Sequence, residues 1–318
     1  MFYRFFRLRK LLLWRPVLGL TIELTDRCNL KCGYCPRGSV RSGGDIDYEL
    51  FKRIVGEAAM LHIEQLVLVG FGESLLYPRL LEALRHVREE YPHIRLYLTT
   101  NGILLDEEMS GALIGGELID QMTVSVNFGM RSKYLEFNRA DAYDQVVSNT
   151  KAFLQRLNRD GSRRRPKARI QVMDTLNDPL EIETFRRFWQ PLLAPNALLQ
   201  IQPFINWGGL IRAAPTQGER YPCTHLQNSW IVSREGNALA CCMVFPHESV
   251  RSPLILGNVR ESSLKQLYCG PEIAMLRRKN MNCDYAHMPE CQLCNAYITV
   301  PNIYVKNPLH FLIGARWL

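Results

Sequence analysis

The sequence predicts an α/β fold: a parallel sheet of six strands with helices between them, followed by a small cysteine-rich module. Three observations carry this expectation. Short apolar runs alternate with amphipathic stretches from residue 20 to about 211, the pattern of βαβ units. Polar or glycine-bearing turns follow those runs, as at Gly70-Phe71-Gly72 and Thr100-Asn101-Gly102. Three of the ten cysteines crowd between positions 28 and 35 and none lies between 36 and 222, so the other seven belong to a separate stretch.

The strand-like runs are 20–24, 65–69, 95–99, 122–126, 169–173 and 199–203, each short and rich in Leu, Ile or Val. Between them, 48–61, 79–90, 107–114, 142–157 and 181–189 place apolar residues three and four apart, which gives a helix one greasy face. Six such units are too few to close an eight-fold barrel. In parallel α/β folds, sites gather at the carboxyl ends of the strands, and each motif discussed below follows a strand candidate.

A chain of 318 residues with 47% apolar content suits one large domain plus a small one. The expected units are 1–17, 18–215, 220–300 and 301–318. Arg15-Pro16 interrupts the apolar N-terminal patch and no small-residue cleavage site follows, so no secretory signal is read there. Clustered C-x2-C spacings without secretion indicate metal rather than disulfides, and a reducing cytoplasm. No apolar run reaches the ~18 residues needed to span a bilayer.

The net charge of +8 concentrates in two places. Arg4, Arg7, Arg9, Lys10 and Arg15 lie among Phe and Leu residues and form a basic amphipathic segment. That segment either packs across the main domain, with the apolar tail 301–318 as its partner, or meets an anionic membrane surface through residues 1–15. The second run, from Arg156 to Arg169 around Asp160-Gly161-Ser162, reads as a solvated loop. No aromatic residues interleave it, so no nucleic-acid partner is expected.

Cys28, Cys32 and Cys35 have the spacing C-x3-C-x2-C directly after the first strand candidate. Three thiolates are one short of the four that fill a [4Fe-4S] cluster, which leaves one iron open to a small molecule. Tyr34 stands directly before the third cysteine. This motif resembles the signature of radical S-adenosylmethionine (SAM) enzymes. The resemblance implies a partial (β/α)6 parallel barrel, a cluster whose open iron binds SAM, and an electron from a flavodoxin- or ferredoxin-type reductant. It also implies roles along the barrel. Gly70-Phe71-Gly72-Glu73 is similar to the family's segment for the SAM amino group, with Gly72 and Glu73 kept and Phe71 and Ser74 departing from the pattern. Asn101 lies in a turn that recurs in the family. Ser125 and Asn127 resemble the segment that meets the SAM ribose and methionine part, and Arg139 matches an arginine that holds the SAM carboxylate with two parallel hydrogen bonds. Gln171 and Asn177 are candidates to face SAM or substrate.

The later cysteines are Cys223, Cys241, Cys242, Cys269, Cys283, Cys291 and Cys294, with Gly236 before Cys241 and Leu256-Gly257-Asn258 after it. The assembly resembles the SPASM and twitch extensions of radical SAM enzymes. That implies one auxiliary [4Fe-4S] cluster on Cys223, Cys241, Cys291 and Cys294. Cys242 is an alternative to Cys241, because adjacent thiols do not easily reach one cluster, and Cys283 is an alternative ligand. A structural zinc site with help from His225, His247 and His287 is the competing reading. Cys269 reads first as a buried thiol. Cys242, Cys269 and Cys283 are the candidate hydrogen-atom donors. The substrate expected is a small polyol or sugar-like molecule, oxidised with help from the auxiliary cluster or epimerised by a cysteine. A ribosomally made peptide is the alternative, and a non-catalytic cluster scaffold the third reading.

Overall fold

The computed structural model describes residues 19–39, 43–174, 178–211, 220, 222–244 and 252–296. The expectations for residues 1–17 and 301–318, Asn177 and His247 lie outside the described residues. The six expected strands are present: β1 (Gly19–Ile22), β2 (Gln65–Leu68), β3 (Arg95–Thr100), β4 (Gln121–Asn127), β5 (Lys167–Asp174) and β6 (Ala197–Pro203), each parallel to the next. Six helices accompany them: α1 (Tyr48–Met60), α2 (Leu80–Glu90), α3 (Glu107–Gly115), α4 (Arg131–Asn138), α5 (Tyr143–Arg159) and α6 (Pro179–Trp189).

Side-chain caps set several helix starts. Asp47 accepts from the Leu50 amide at α1, Asp106 from Met109 at α3, and Asp178 from Leu180 and Glu181 at α6, where Pro179 occupies the first turn. Helix α1 buries Leu50, Phe51, Ile54, Val55 and Ala58 along one stripe. The strands alternate accordingly. Leu20, Ile22, Leu66, Leu68, Leu96, Leu98, Val124, Ile170 and Val172 are buried in the core with the helices. On the opposite face Thr21, Tyr97, Thr99, Thr123, Ser125 and Gln171 are only half-buried. A parallel sheet packed on both faces is apolar on both. The polar second face here lines an open concavity instead.

The sheet does not end with the barrel. β7 (Trp230–Val232) pairs parallel to β1 on its free edge, and β8 (Asn237–Leu239) and β9 (Ile255–Asn258) continue antiparallel. The result is a nine-stranded sheet in the order β6-β5-β4-β3-β2-β1-β7-β8-β9. Gly236 turns the β7–β8 hairpin at φ +93°, where a Cβ would stand 2.8 Å from Asn258 Oδ1. Among the described residues, four helices complete the module: α7 (Thr224–Asn228), α8 (Leu264–Cys269), α9 (Pro271–Met281) and α10 (Pro289–Leu293). Ser263 and Gln266 form a capping box at α8. From α8, the fully buried Tyr268 stacks on Trp230 with ring centroids 4.6 Å apart. Its hydroxyl accepts the Ile231 and Leu239 amides at 2.8 and 3.1 Å.

Two sequence expectations are corrected. Helix α4 was not anticipated, because its buried residues are only Tyr134 and Asn138 and no apolar stripe marks it. The basic stretch 156–169, read as a solvated loop, is helix through Arg159 and strand from Lys167; Arg169, which also falls in the strand-like run 169–173, is half-buried inside β5, where burial pulls its guanidinium below the usual value. Among the described residues no helix is long and apolar enough to cross a membrane.

The Tyr268 hydroxyl is the acceptor for two buried strand amides, so Tyr268→Phe leaves both unmatched. A loss of about 1–3 kcal/mol is expected, measured as a lower urea midpoint of the cluster-free protein. An unchanged midpoint would show that the hairpin does not depend on that hydroxyl.

Candidate functional site: two cysteine centres

The loop after β1 carries Cys28, Cys32 and Cys35 and is pressed hard against the loop after β2. A Cβ on Gly72 would lie 2.1 Å from the Thr25 carbonyl oxygen and 2.7 Å from that of Arg27, so only glycine fits. A Cβ on Gly70 would lie 2.4 Å from Glu23 Cγ. The Glu73 amide donates to Arg27 O at 2.8 Å. The Glu73 carboxylate is buried and accepts the Leu75 amide at 3.1 Å and the Asn101 amide at 2.7 Å. Burial pushes its pKa up, opposed by those amide bonds. Asn101 then reaches the cysteine loop, its Nδ2 donating to Asn29 Oδ1 at 2.7 Å and lying 4.0 Å from Cys28 Sγ.

Tyr34 is buried beside Phe128, and its hydroxyl joins two elements. Asn127 Nδ2 donates to it at 2.7 Å, and it donates to Asn138 Oδ1 of α4. Asn127 holds a left-handed backbone, φ 69°, and its Oδ1 is buried without a partner. Ser125 Oγ lies 3.4 Å from Gln171 Nε2. Arg139 ends α4, also left-handed, and is exposed, with its guanidinium beside the cysteine loop: a Cβ on Gly33 would be 3.6 Å from Nη2. The residues expected to meet SAM, namely Tyr34, Gly72, Glu73, Asn101, Ser125, Asn127 and Arg139, thus all lie at or beside the carboxyl ends of β1–β4 or in the loops that follow them.

The three thiols fit an iron–sulfur group. Burial pushes Cys28 and Cys35 up and Cys32 up to about 12, and repulsion from neighbouring thiols at Cys32 and Cys35, and from Glu73 at Cys28, adds to it. Metal binds thiolate, so the positive charge of iron would be what lets such a buried group of thiols ionise together.

The second centre lies in the C-terminal module. Cys223, Cys241, Cys291 and Cys294 line one pocket with Arg220, His225, Tyr285 and Glu290. Burial pushes Cys223 up to about 12 and raises Cys291 and Cys294, and the other thiols of the set add to the shift of Cys223 and Cys291. Asn280, fully buried, grips the Cys223 backbone from both sides: Oδ1 accepts its amide and Nδ2 donates to its carbonyl, both at 2.8 Å. Arg220 donates to the Cys291 and Cys294 carbonyls and lies over the Tyr285 ring.

Cys242 does not line that pocket; its Sγ is 3.8 Å from His225 Nδ1, and it packs with Cys35 and Trp207 against Phe71, Ile231 and Leu239. Cys283 stands outside too, its thiol donating to Arg220 O at 3.4 Å. His287 is exposed and away from the pocket. Cys269 is exposed at the end of α8, which overturns its reading as a buried thiol. Asn280, Arg220 and the turn at Trp207 were missed. Only the Gly208-Gly209 dipeptide gave a local signal, that of a turn.

An open α/β barrel with three thiols at one strand end and four in an appended module defines an iron–sulfur enzyme of the radical type. The radical SAM superfamily model matches residues 22–164, and the SPASM model, an iron–sulfur cluster-binding domain, matches residues 223–295. The chain is a radical SAM enzyme with a C-terminal SPASM domain, which implies a SAM-binding [4Fe-4S] cluster and auxiliary iron–sulfur chemistry. A tungsten-containing aldehyde ferredoxin oxidoreductase cofactor-modifying protein of Pyrococcus furiosus is 23% identical, over 87% of this chain and 88% of its own. BtrN in complex with AdoMet and 2-DOIA superposes with TM-score 0.57 at 17% identity, covering 88% of this chain and 94% of that one. Streptococcus suis SuiB bound to the precursor peptide SuiA gives TM-score 0.67 at 18% identity, covering 95% and 76%. These solved structures establish the fold.

Two outcomes test the site. Replacing Cys291 and Cys294 together with Ala is expected to lower iron from about eight to about four atoms per chain. Asn280→Ala should lose part of the same iron, because Cys223 loses its grip; unchanged iron in both would remove the second centre from this pocket. Glu73→Gln is expected to weaken SAM binding several-fold with iron retained, since the amide can no longer accept from both Leu75 and Asn101. Unaltered SAM affinity would free Glu73 from that role.

Proposed function

We propose that this enzyme removes a hydrogen atom from a small hydroxyl-bearing substrate, polyol or sugar-like, and oxidises it with help from the four-cysteine centre. Cys28, Cys32 and Cys35 would hold a [4Fe-4S] cluster whose electron, passed to SAM, would supply a 5′-deoxyadenosyl radical; once that radical has taken the hydrogen atom, the substrate would lose a proton and pass its remaining electron to a cluster held by Cys223, Cys241, Cys291 and Cys294. The chain's own residues prepare the place for it. Gly72 and Glu73 fix the loop that faces the SAM amino group, and Arg139 stands beside the cysteine loop for the SAM carboxylate.

The observation that carries the substrate class is a polar row across the concave wall. Ser125, Gln171 and Gln200 are cross-strand neighbours on β4, β5 and β6. Gln200 Oε1 is shut off from solvent without a hydrogen-bond partner. Ser125 and Gln171 stay partly open beside it, so the hydroxyl and amide of this row offer a substrate's hydroxyl groups both donors and acceptors. Cys242 is the spare thiol placed between the two centres. It would act as hydrogen-atom donor if the outcome is epimerisation, whereas Cys269 faces solvent and Cys283 is bonded to the backbone. A flavodoxin- or ferredoxin-type protein would supply the electron.

One observation favours the second reading, maturation of a ribosomally made peptide. β6 is the last strand of the sheet and exposes Leu198 (43%) and Ile201 (38%), a place where an extended chain could lie. The SuiB complex with its precursor peptide supports the same reading.

The test is deuterium transfer. The reconstituted enzyme, reduced with dithionite, is given polyols deuterated at carbon and, separately, deuterated peptides. Deuterium in 5′-deoxyadenosine from a polyol supports the proposal; transfer from a peptide alone replaces it with the second reading. Cys32→Ala should form no 5′-deoxyadenosine in either case, and persistent product would sink the assignment of the first centre.

A further inference from the structure

We propose that Trp207 is a positioning residue that ties the two cysteine centres together, so that filling the four-cysteine centre tightens SAM binding at the first. The inference rests on the ligand sets given above.

Trp207 opens the 3-10 turn Trp207–Gly209 that follows β6. Trp207, Gly208 and Gly209 are all left-handed, with φ of 52°, 65° and 92°. A bulky residue holds that conformation only where its surroundings fix it. On one side the surroundings belong to the four-cysteine centre. Asn206 and Asn295 exchange hydrogen bonds: Asn206 N donates to Asn295 Oδ1 at 2.8 Å, and Asn295 N to Asn206 Oδ1 at 3.1 Å. Asn206 Nδ2 also donates to Leu293 O at 2.7 Å. A Cβ on Gly208 would be 3.1 Å from Glu290 Cβ, and one on Gly209 would be 2.7 Å from Leu293 Cβ, so α10 sits directly on the turn.

On the other side the surroundings belong to the first centre. Trp207 Nε1 donates to Tyr34 O at 2.9 Å, next to Cys35. The indole packs on Phe71 with ring centroids 5.1 Å apart, between the two glycines of the Gly70–Gly72 loop. One side chain thus touches the cysteine loop and the SAM-facing loop, while its own backbone is stitched to residues 290–295. Residues 291–294 are fixed when their thiolates share an iron–sulfur group, and the Asn206–Asn295 pair hands that order to the turn. Such coupling is reciprocal, so bound SAM also favours retention of the second centre.

The experiment is a double-mutant cycle on the full reconstituted chain. The Cys291→Ala/Cys294→Ala pair is made with native Trp207, with Trp207→Ala and with Trp207→Phe. Iron is counted, and SAM affinity is read from the change that SAM produces in the electron paramagnetic resonance spectrum of the reduced first cluster. With native Trp207, losing the pair should weaken SAM about tenfold; with Trp207→Ala it should weaken SAM about twofold or less. Trp207→Phe should fall between, because it keeps the ring on Phe71 and loses the bond to Tyr34. It also carries the cycle if Trp207→Ala fails to fold. Iron near four with equal weakening in every background, or with none at native Trp207, overturns the coupling alone. Iron that stays near eight overturns the ligand set, and the coupling with it.

Discussion

The first centre depends on one close approach, the carbonyls of Thr25 and Arg27 against the Cα of Gly72. It decides where the cysteine loop can run. Glu23, the residue just after β1, accepts the Phe71 amide at 3.0 Å and the Arg234 amide at 3.2 Å, so one buried carboxylate orients a loop on each flank. Asp26 is fully buried and pairs with the Arg234 guanidinium at 2.8 Å. A buried pair of this kind adds little net stability, but losing one partner strands the other charge, so it fixes register. β1 therefore lies in the seam between the barrel and the SPASM module, with β2 on one edge and β7 on the other.

The two centres are built by different means. The first uses strand ends and glycine contacts within a large core. The second gathers Cys223 from just before α7, Cys241 from the turn after β8, and Cys291 and Cys294 from α10 and its end, and relies on Asn280, Arg220 and Asn295 to satisfy the backbone around them. Small modules with little core need such cross-links or metals to hold a shape. Tyr268 does the same for the β7–β8 hairpin, supplying with one hydroxyl the acceptor that short strands lack.

The barrel was legible in the sequence because its strands and helices follow clear periods: the six strands begin within two residues of where the apolar runs place them. The cysteine spacings were legible because cluster chemistry restricts them. The continuation of the sheet into β7–β9 was not, since three- and four-residue strands such as Trp230–Val232 carry too few positions for a period to register. Nor was the choice between Cys241 and Cys242, which rests on which of two adjacent side chains turns into the pocket. Trp207 acts through one hydrogen bond to a distant backbone atom and Asn280 through two, and no local pattern announces such bonds.

The unclosed sheet has a further consequence. In a closed barrel, strand number and stagger fix the radius, because every strand is hydrogen-bonded on both sides. Here, among the described residues, β6 is bonded only to β5, so no described ladder spans the gap back to the other strands. The width of the concavity is set by how α6 and β6 pack on β5 through Phe185, Trp189 and Leu199. Repacking those few side chains would widen or narrow the mouth without touching a strand register or a cysteine. The same chemistry can thereby be refitted to molecules of different girth by changes at the rim alone.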